Sequence, residues 1–392
     1  MSRYIPRSNI LMRLVVVGLV LAFAFEAQAA KRYYVSATNG DDANSAAQAQ
    51  SRSTPWATIQ HAVDSVASGD KIFVLPGDYI GEEGPAEAVL IEKSLKLIAK
   101  PRRGEPVTLR PSSTNTEGIV FRGTAQNPVK KVLIQGFTIE GFSRNGIWPH
   151  YAEKFKIVGN VVGDSDHVGI YPYLSSKGMV RKNVSYGGLD SALWVAGSER
   201  IRVVNNTVHS APTGLQVTVS NDTYATRNYI YNNVIGLGVY HENASATPEG
   251  ERPPKPNNGT YVAGTFSGNR IIGNNLENPV TSGLVGNLPS GIGVLIAGGD
   301  GVTLEKNMVR WNNFAGLAMI GWTLGTGDTN TTDSEPDYNR ILSNYLGQNG
   351  ANPPDHPFAG LAADVINLAS GVGNCGENNV YQTSFGPTLP PC

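Results

Sequence analysis

The apolar positions of this chain fall in short runs rich in Val and Ile, punctuated by Gly, Asn and Ser, and the runs recur. Gly146-Ile147-Trp148, Gly169-Ile170-Tyr171, Ala192-Leu193-Trp194 and Gly214-Leu215-Gln216 follow one another at intervals of 23, 23 and 22 residues. An asparagine stands fourteen residues after the start of each: Asn160, Asn183, Asn206 and Asn228. Three apolar lines keep this register, Ile147/Ile170/Leu193/Leu215, Ile157/Val180/Val203 and Val161/Val184/Thr207, and predict three short strands per repeat with these residues inside. Strands this short cannot bury a face alone, so each repeat must stack on the next as a parallel β-solenoid. Equivalent side chains then lie about 4.8 Å apart. At that spacing the asparagines can bond amide to amide along the axis.

The register continues through Gly118, Gly136, Gly291, Asn307, Gly316, Asn344 and Gly360, which suggests about ten coils. Insertions over 243–261 and 323–338 interrupt the later ones, and insertions in a solenoid collect on one face, often the binding face. An end coil needs a cap over its core and strand edges. Residues 54–69 fit one: Ile59, Ala62, Val63 and Val66 make a helical stripe between Pro55/Thr58 and Gly69. Lys71 to Tyr79 would then begin the coils.

Composition narrows the class. The 392 residues are 40% hydrophobic and 16% charged, with 45 Gly, 24 Pro and 2 Cys, which excludes disorder, coiled coil and a disulfide scaffold. A net charge of -1 gives no overall field for a polyanion, so nucleic acid is not expected as partner and any anion must be held locally. Arg3, Arg7 and Arg13, the apolar run Leu14 to Phe25 and Ala27-Gln28-Ala29 read as a signal peptide over 1–30, leaving one exported domain over 31–392. Twelve apolar residues are too few to span a bilayer. The chain is expected to be secreted or periplasmic, without a membrane span, and monomeric. Cys375 and Cys392 are expected to pair in an oxidising compartment and tie down residues 370–392, two unpaired buried thiols being the alternative.

Three outward lines carry candidate chemistry. Trp148, Tyr171 and Trp194 follow inward residues, so their rings should point out and take the C–H faces of sugars. A covering loop such as 243–261 is the competing explanation for them. Arg144, His167 and Asp190 stand two residues before each repeat start and bring an anion holder, an acid/base group and an orienting carboxylate to successive rungs. His150 and Tyr173 add titratable groups beside the aromatic line. Lys154, Lys177 and Arg200 form a basic turn line suited to an acidic polysaccharide, with Glu153 and Glu199 beside it.

Several segments carry a family resemblance: Tyr34-Val35-Ser36, Asn39-Gly40-Asp41-Asp42, Pro55 to Val63, and Gly69 to Tyr79. With the coils, they resemble the secreted right-handed parallel β-helix proteins of the pectate-lyase-like superfamily over nearly all of the mature chain. The resemblance implies an all-β, right-handed parallel β-helix. Its members include polysaccharide lyases, epimerases, glycosidases and proteins with no known reaction. Asp164-Ser165-Asp166-His167 is loosely similar to the Asp-Pro-His-Asp signature of alginate epimerases, with the order changed and Pro absent. The Asp-Asp constellation of polygalacturonase-like hydrolases is not found in a coil. Calcium-dependent members gather acidic residues from neighbouring coils, which Asp164, Asp166 and Asp190 could do, though Arg144 opposes a cation.

The resulting expectation is a lyase or C5-epimerase of a uronate-containing glycan. Arg144 or the Lys154 line would hold the carboxylate, and His167 or a tyrosine such as Tyr171 would move the proton. Trp148, Trp194, His150, Tyr173, Lys154, Lys177 and Arg200 would bind substrate. No resident metal is assigned, calcium being the one considered. The rival expectation is a noncatalytic glycan-binding or envelope protein.

Overall fold

The repeats pair as their spacing demands: Val161, Val184 and Thr207 are direct parallel partners on successive strands, as are Ile157, Val180 and Val203. The computed structural model describes residues 29–240, 249–255, 259, 261–329 and 333–392. Among these, the strands make three long parallel sheets of 12, 9 and 11 strands, each coil giving at most one strand to each sheet. This is a parallel β-helix, with two more rungs in its longest sheet than the ten coils expected. Residues Lys31–Cys392 form one unit, and the leader expected over 1–30 lies outside the described residues except for its last two. No helix among the described residues is long and apolar enough to cross a membrane.

The interior is a set of axial rows. Ile147, Ile170, Leu193, Leu215, Leu237, Val294 and Leu317 pair in register and are all buried. The third apolar line is corrected by one residue. Val162, Ser185, Val208 and Ile230 face inward, while Val161, Val184 and Thr207 are half-buried on the outer side. A period of two makes a single-residue error a change of face.

The asparagine line forms a continuous ladder. Asn160 donates Nδ2–H to Asn183 Oδ1 at 3.0 Å, Asn183 to Asn206 at 3.0 Å and Asn206 to Asn228 at 3.1 Å. The chain of amides runs on through Asn269, Asn307, Asn344 and Asn379. Each second Nδ2 hydrogen goes to a strand carbonyl, such as Val180 for Asn206 at 3.0 Å, so these amides leave no donor unmet. A second ladder runs Asn233, Asn274, Asn312, Asn349 and ends on Asp364.

The N-terminal cap is shorter than its sequence pattern. The helix spans only Ile59–Ser65, with the Thr58 hydroxyl accepting the His61 N–H. Val66 is already extended at ψ 155°, and Gly69, at φ +95°, shapes the following turn rather than closing the helix. Coils also begin earlier than Lys71, because Arg32–Val35 already pairs with Lys71–Val74. Asp42 holds the cap by accepting the N–H groups of Ala57 and Thr58 and the Thr58 hydroxyl. Gly40 is required there, since a Cβ would lie 2.1 Å from the Trp56 carbonyl oxygen. At the other end Cys375 and Cys392 form a disulfide across 17 residues, and Leu389 packs against the end of the core.

Insertions shape one face. Between the nine- and eleven-stranded sheets, residues 273–291 carry the short helix Gly283–Gly286, and after Ile320 comes the helix Trp322–Thr326. The first of these insertions has no counterpart in the sequence reading. Leu284, Leu288 and Trp322 pack on Ile235, Ile292, Leu295, Ala315, Ala318 and Ile320, which sheathes the later rungs of the eleven-stranded sheet outside the coil. The earlier rungs of that outer face keep polar and aromatic residues.

Candidate active-site groove

The strands Glu117–Arg122, Asn145–His150, Val168–Ile170, Ser191–Ala196 and Thr213–Thr218 form the uncovered outer face, and beside Asp190 and Gln216 the insertion residues Leu284, Val285 and Trp322 wall it into a groove. Register places Glu117, Asn145, Val168, Ser191 and Thr213 on a line at its edge. A second line holds Trp148, Tyr171, Trp194 and Gln216, and a third Arg122, His150, Tyr173 and Thr218.

The structure brings Arg144, His167 and Asp190 together at that edge. His167 Nδ1 lies 3.0 Å from Asn145 Oδ1, and His167 Nε2 lies 3.9 Å from Asp190 Oδ2. Because an amide oxygen can only accept, this contact holds the hydrogen on Nδ1 and leaves Nε2 on the side of the Asp190 carboxyl. Arg144 Nε is 3.0 Å from Glu117 Oε1, and the Asn145 backbone N–H donates to Glu117 Oε2 at 3.0 Å. Glu117 is nearly inaccessible, while more than half of the Arg144 side chain remains open to solvent. The Ser191 hydroxyl lies within hydrogen-bond distance of both Asp190 Oδ1, 2.8 Å, and Gln216 Oε1, 2.7 Å.

Burial sets the protonation preferences. It pushes the His167 imidazole below its ordinary value, with the Arg144 charge acting the same way and Asp190 opposing. It pushes the Asp190 and Glu117 carboxyls upward. The Tyr171 phenol is raised by burial, so it holds its proton throughout the neutral range. His150 is brought down to about 4 by burial and then by Arg122, which leaves it uncharged.

The aromatic line differs from its expected role. Trp148, Tyr171 and Trp194 do stand outside the coil, but Tyr171 and Trp194 stack face to face at 4.9 Å and 25° and are 9% and 7% exposed. Tyr171 also stacks on Tyr173 at 5.4 Å, and His150 lies between Trp148 at 5.1 Å and Tyr151 at 4.5 Å. At rung spacing, flat side chains on neighbouring strands cover one another, so ring edges rather than faces line the groove. The Trp194 indole N–H is already given to Thr218 Oγ1 at 2.9 Å. His167 sits edge-on to Tyr171 and Trp194 at 5.8 and 6.0 Å.

Where it is described, the 243–261 insertion and the residue after it contact Tyr151 and Asn221, beyond this line rather than on it. The Tyr151 hydroxyl bonds the Glu251 carboxylate, and Asn221 bonds Pro254 O and Val262 N. Residues 241–248, 256–258 and 260 lie outside the described residues.

The basic line is not drawn into the site. Lys154, Lys177 and Arg200 occupy left-handed turn positions beyond the floor strands. Lys177 and Lys154 both pair with Glu153, at 2.8 and 3.5 Å, and Arg200 pairs with Glu199 at 2.9 Å. Adjacent acids thus neutralise a line that the sequence offers to substrate. Asp164 and Asp166 lie exposed on the turn before His167, and no three His, Cys, Asp or Glu side chains among the described residues converge as a metal site.

Glu117, Asn145 and Ser191 were missed by sequence reasoning, while Gln216 is the next member of the outward line that begins at Trp148. The signal was available for all three, since each stands immediately before a repeat start already in register: Gly118, Gly146 and Ala192. Asn145 Nδ2, Trp148 Nε1 and His150 Nδ1, all on one strand, are buried and make no hydrogen bond among the described residues.

Residues 63–288, more than half of the chain, match the family model described as periplasmic copper-binding protein (NosD). No curated protein matches the sequence. Among solved structures, the A-module of Azotobacter vinelandii mannuronan C-5 epimerase AlgE4 aligns with a TM-score of 0.58 at 15% identity, over 91% of this chain and 100% of that one. The AlgE6 A-module from the same organism gives 0.52 at 14%, over 83% and 94%. Geobacillus virus E2 ORF18 gives 0.51 at 13%, over 90% of this chain and 58% of that one. At these identities the likeness is one of fold.

Proposed function

This chain belongs to the NosD family of periplasmic copper-binding proteins, and from that premise and the groove we propose a polysaccharide-active protein of the periplasm, exported by the leader over 1–30. The family description names copper. The described residues show no copper centre of His, Cys or carboxylate ligands: both cysteines are consumed in the disulfide, and no three His, Cys, Asp or Glu side chains converge. The reading therefore rests on the chain's own acid/base groups.

The reaction is proton abstraction at C5 of a uronate, leading to β-elimination or C5 epimerisation. The observation that carries it is the Asn145–His167–Asp190 arrangement, a neutral imidazole with one nitrogen anchored and the other open beside a carboxylate. Arg144 binds the uronate carboxylate through its exposed N–H groups. His167 Nε2 takes the C5 proton, and the electron pair enters the carboxylate as an enolate stabilised by Arg144. Asp190 stabilises the imidazolium that results. In elimination the C4–O4 bond breaks, leaving a C4=C5 double bond, and the protonated Tyr171 gives its proton to the departing O4. In epimerisation C5 takes a proton from water on its opposite face, and the His167 imidazolium returns the abstracted proton to solvent. The Azotobacter epimerase modules, which share the fold, lend the reaction class but no residues.

A screen of uronate polymers for unsaturated ends and for solvent deuterium at C5 tests this. Binding without either product favours the noncatalytic glycan-binding reading.

A further inference from the structure

The outer face of the twelve-stranded sheet takes no part in the groove. One register line on it carries Arg32, Lys71, Lys96, Lys156, Arg202 and Arg340, and no Asp or Glu. Five of the six are exposed and Lys71 is half-buried. Among the described residues, none of the six forms an ion pair with a carboxylate, although the chain as a whole is net negative. Arg32, Lys71 and Lys96 stand on three consecutive rungs, about 4.8 Å apart, where like charges directly opposite one another destabilise a sheet. From Arg32 to Arg202 the line runs roughly 30 Å along the axis. Aromatic rings lie beside it: Arg202 covers Tyr224 at 5.3 Å, and Lys100 covers Phe73 at 4.4 Å on the neighbouring line.

We infer that this line is a docking track for a linear acidic polysaccharide lying along the solenoid axis, distinct from the groove. Anionic groups spaced along an extended chain neutralise cations that pair with no carboxylate among the described residues. A row one residue wide suits a single polymer chain better than a plane of lipid head groups. The inference does not rest on His167 or on any reaction in the groove.

The test measures binding of the exported protein to sodium polygalacturonate, with neutral dextran and phosphatidylglycerol vesicles as comparisons. The variant K71Q/K96Q/K156Q/R202Q should bind polygalacturonate about tenfold more weakly at low ionic strength, with a shallower salt dependence. The charge-conserving K71R/K96R/K156R should retain parental affinity and guards against a folding artefact. His167→Ala should bind within about twofold of the parent, because the track lies on another sheet. Unchanged affinity in a folded quadruple Gln variant would overturn the inference, as would tighter binding to the vesicles than to the polymer. Loss of polymer binding in His167→Ala would also overturn it by placing the site in the groove. Absence of C5 exchange leaves the binding result standing, since the two are read on different residues.

Discussion

His167 Nδ1 lies 3.0 Å from the side-chain oxygen of Asn145, a residue 1% exposed whose own backbone N–H is held by Glu117. This contact fixes the ring on a rigid strand and turns Nε2 toward Asp190 and the groove. A base that must be neutral, and whose proton affinity is depressed by burial and by Arg144, works below the usual imidazole range. The rising limb of kcat/KM against pH should therefore lie below about 6.5.

Arg144→Gln should move that limb upward, because the removed charge disfavours protonated His167. Asp190→Asn should move it downward, because the lost carboxylate favours it. Arg144→Gln should also raise KM for a uronate polymer roughly tenfold and lower thermal stability, because it leaves the buried Glu117 carboxyl without its cation. Steady-state pH profiles of the two variants, read beside melting curves, check both signs.

Trp194→Ala should act first on stability. The ring is stacked on Tyr171 and bonded to Thr218, so its removal should cost about 2–4 kcal/mol, somewhat less than in a central core. Chemical denaturation measures this. A fully stable Trp194→Ala protein with selectively weakened glycan binding would restore the exposed-ring role that the sequence suggested.

Asn206→Ala should be costly for a different reason. It strips partners from Asn183, Asn228 and the Val180 carbonyl inside a dry ladder, at about 2–4 kcal/mol in total. Hydrogen exchange should show the loss centred on the neighbouring rungs, because a solenoid is stabilised between nearest neighbours.

Reduction of Cys375–Cys392 should release chiefly the last rung, with a cost of about 3 kcal/mol for a loop of this length. Hydrogen exchange in reductant should rise over residues 370–392 and stay unchanged around His167.

The coil architecture was readable because inward residues and asparagines repeat at fixed offsets, as Asn160 and Asn183 do. The second ladder was not: Asn233 and Asn274 are 41 residues apart, since insertions break the period. Arg144, His167 and Asp190 were legible as one line for the same reason as the asparagines. The fate of the Trp194 ring was not, because period and polarity say which way a side chain leaves the backbone but not that its neighbour one rung away will cover its face. Glu153 and Glu199 were legible beside the basic line as charges that dilute it, but the cross-rung pairing of Glu153 with Lys177 needs the turn's three-dimensional path.

Wash-in of solvent deuterium at C5 of a uronate polymer, followed by NMR alongside the appearance of unsaturated ends, tests the central claim because elimination and epimerisation share the loss of that proton. The account predicts exchange or elimination with the parent protein and a loss of about 10²–10⁴-fold in His167→Ala, with the fold and polymer binding retained. Full activity in His167→Ala would contradict it, as would the absence of both exchange and unsaturated ends across the uronate polymers.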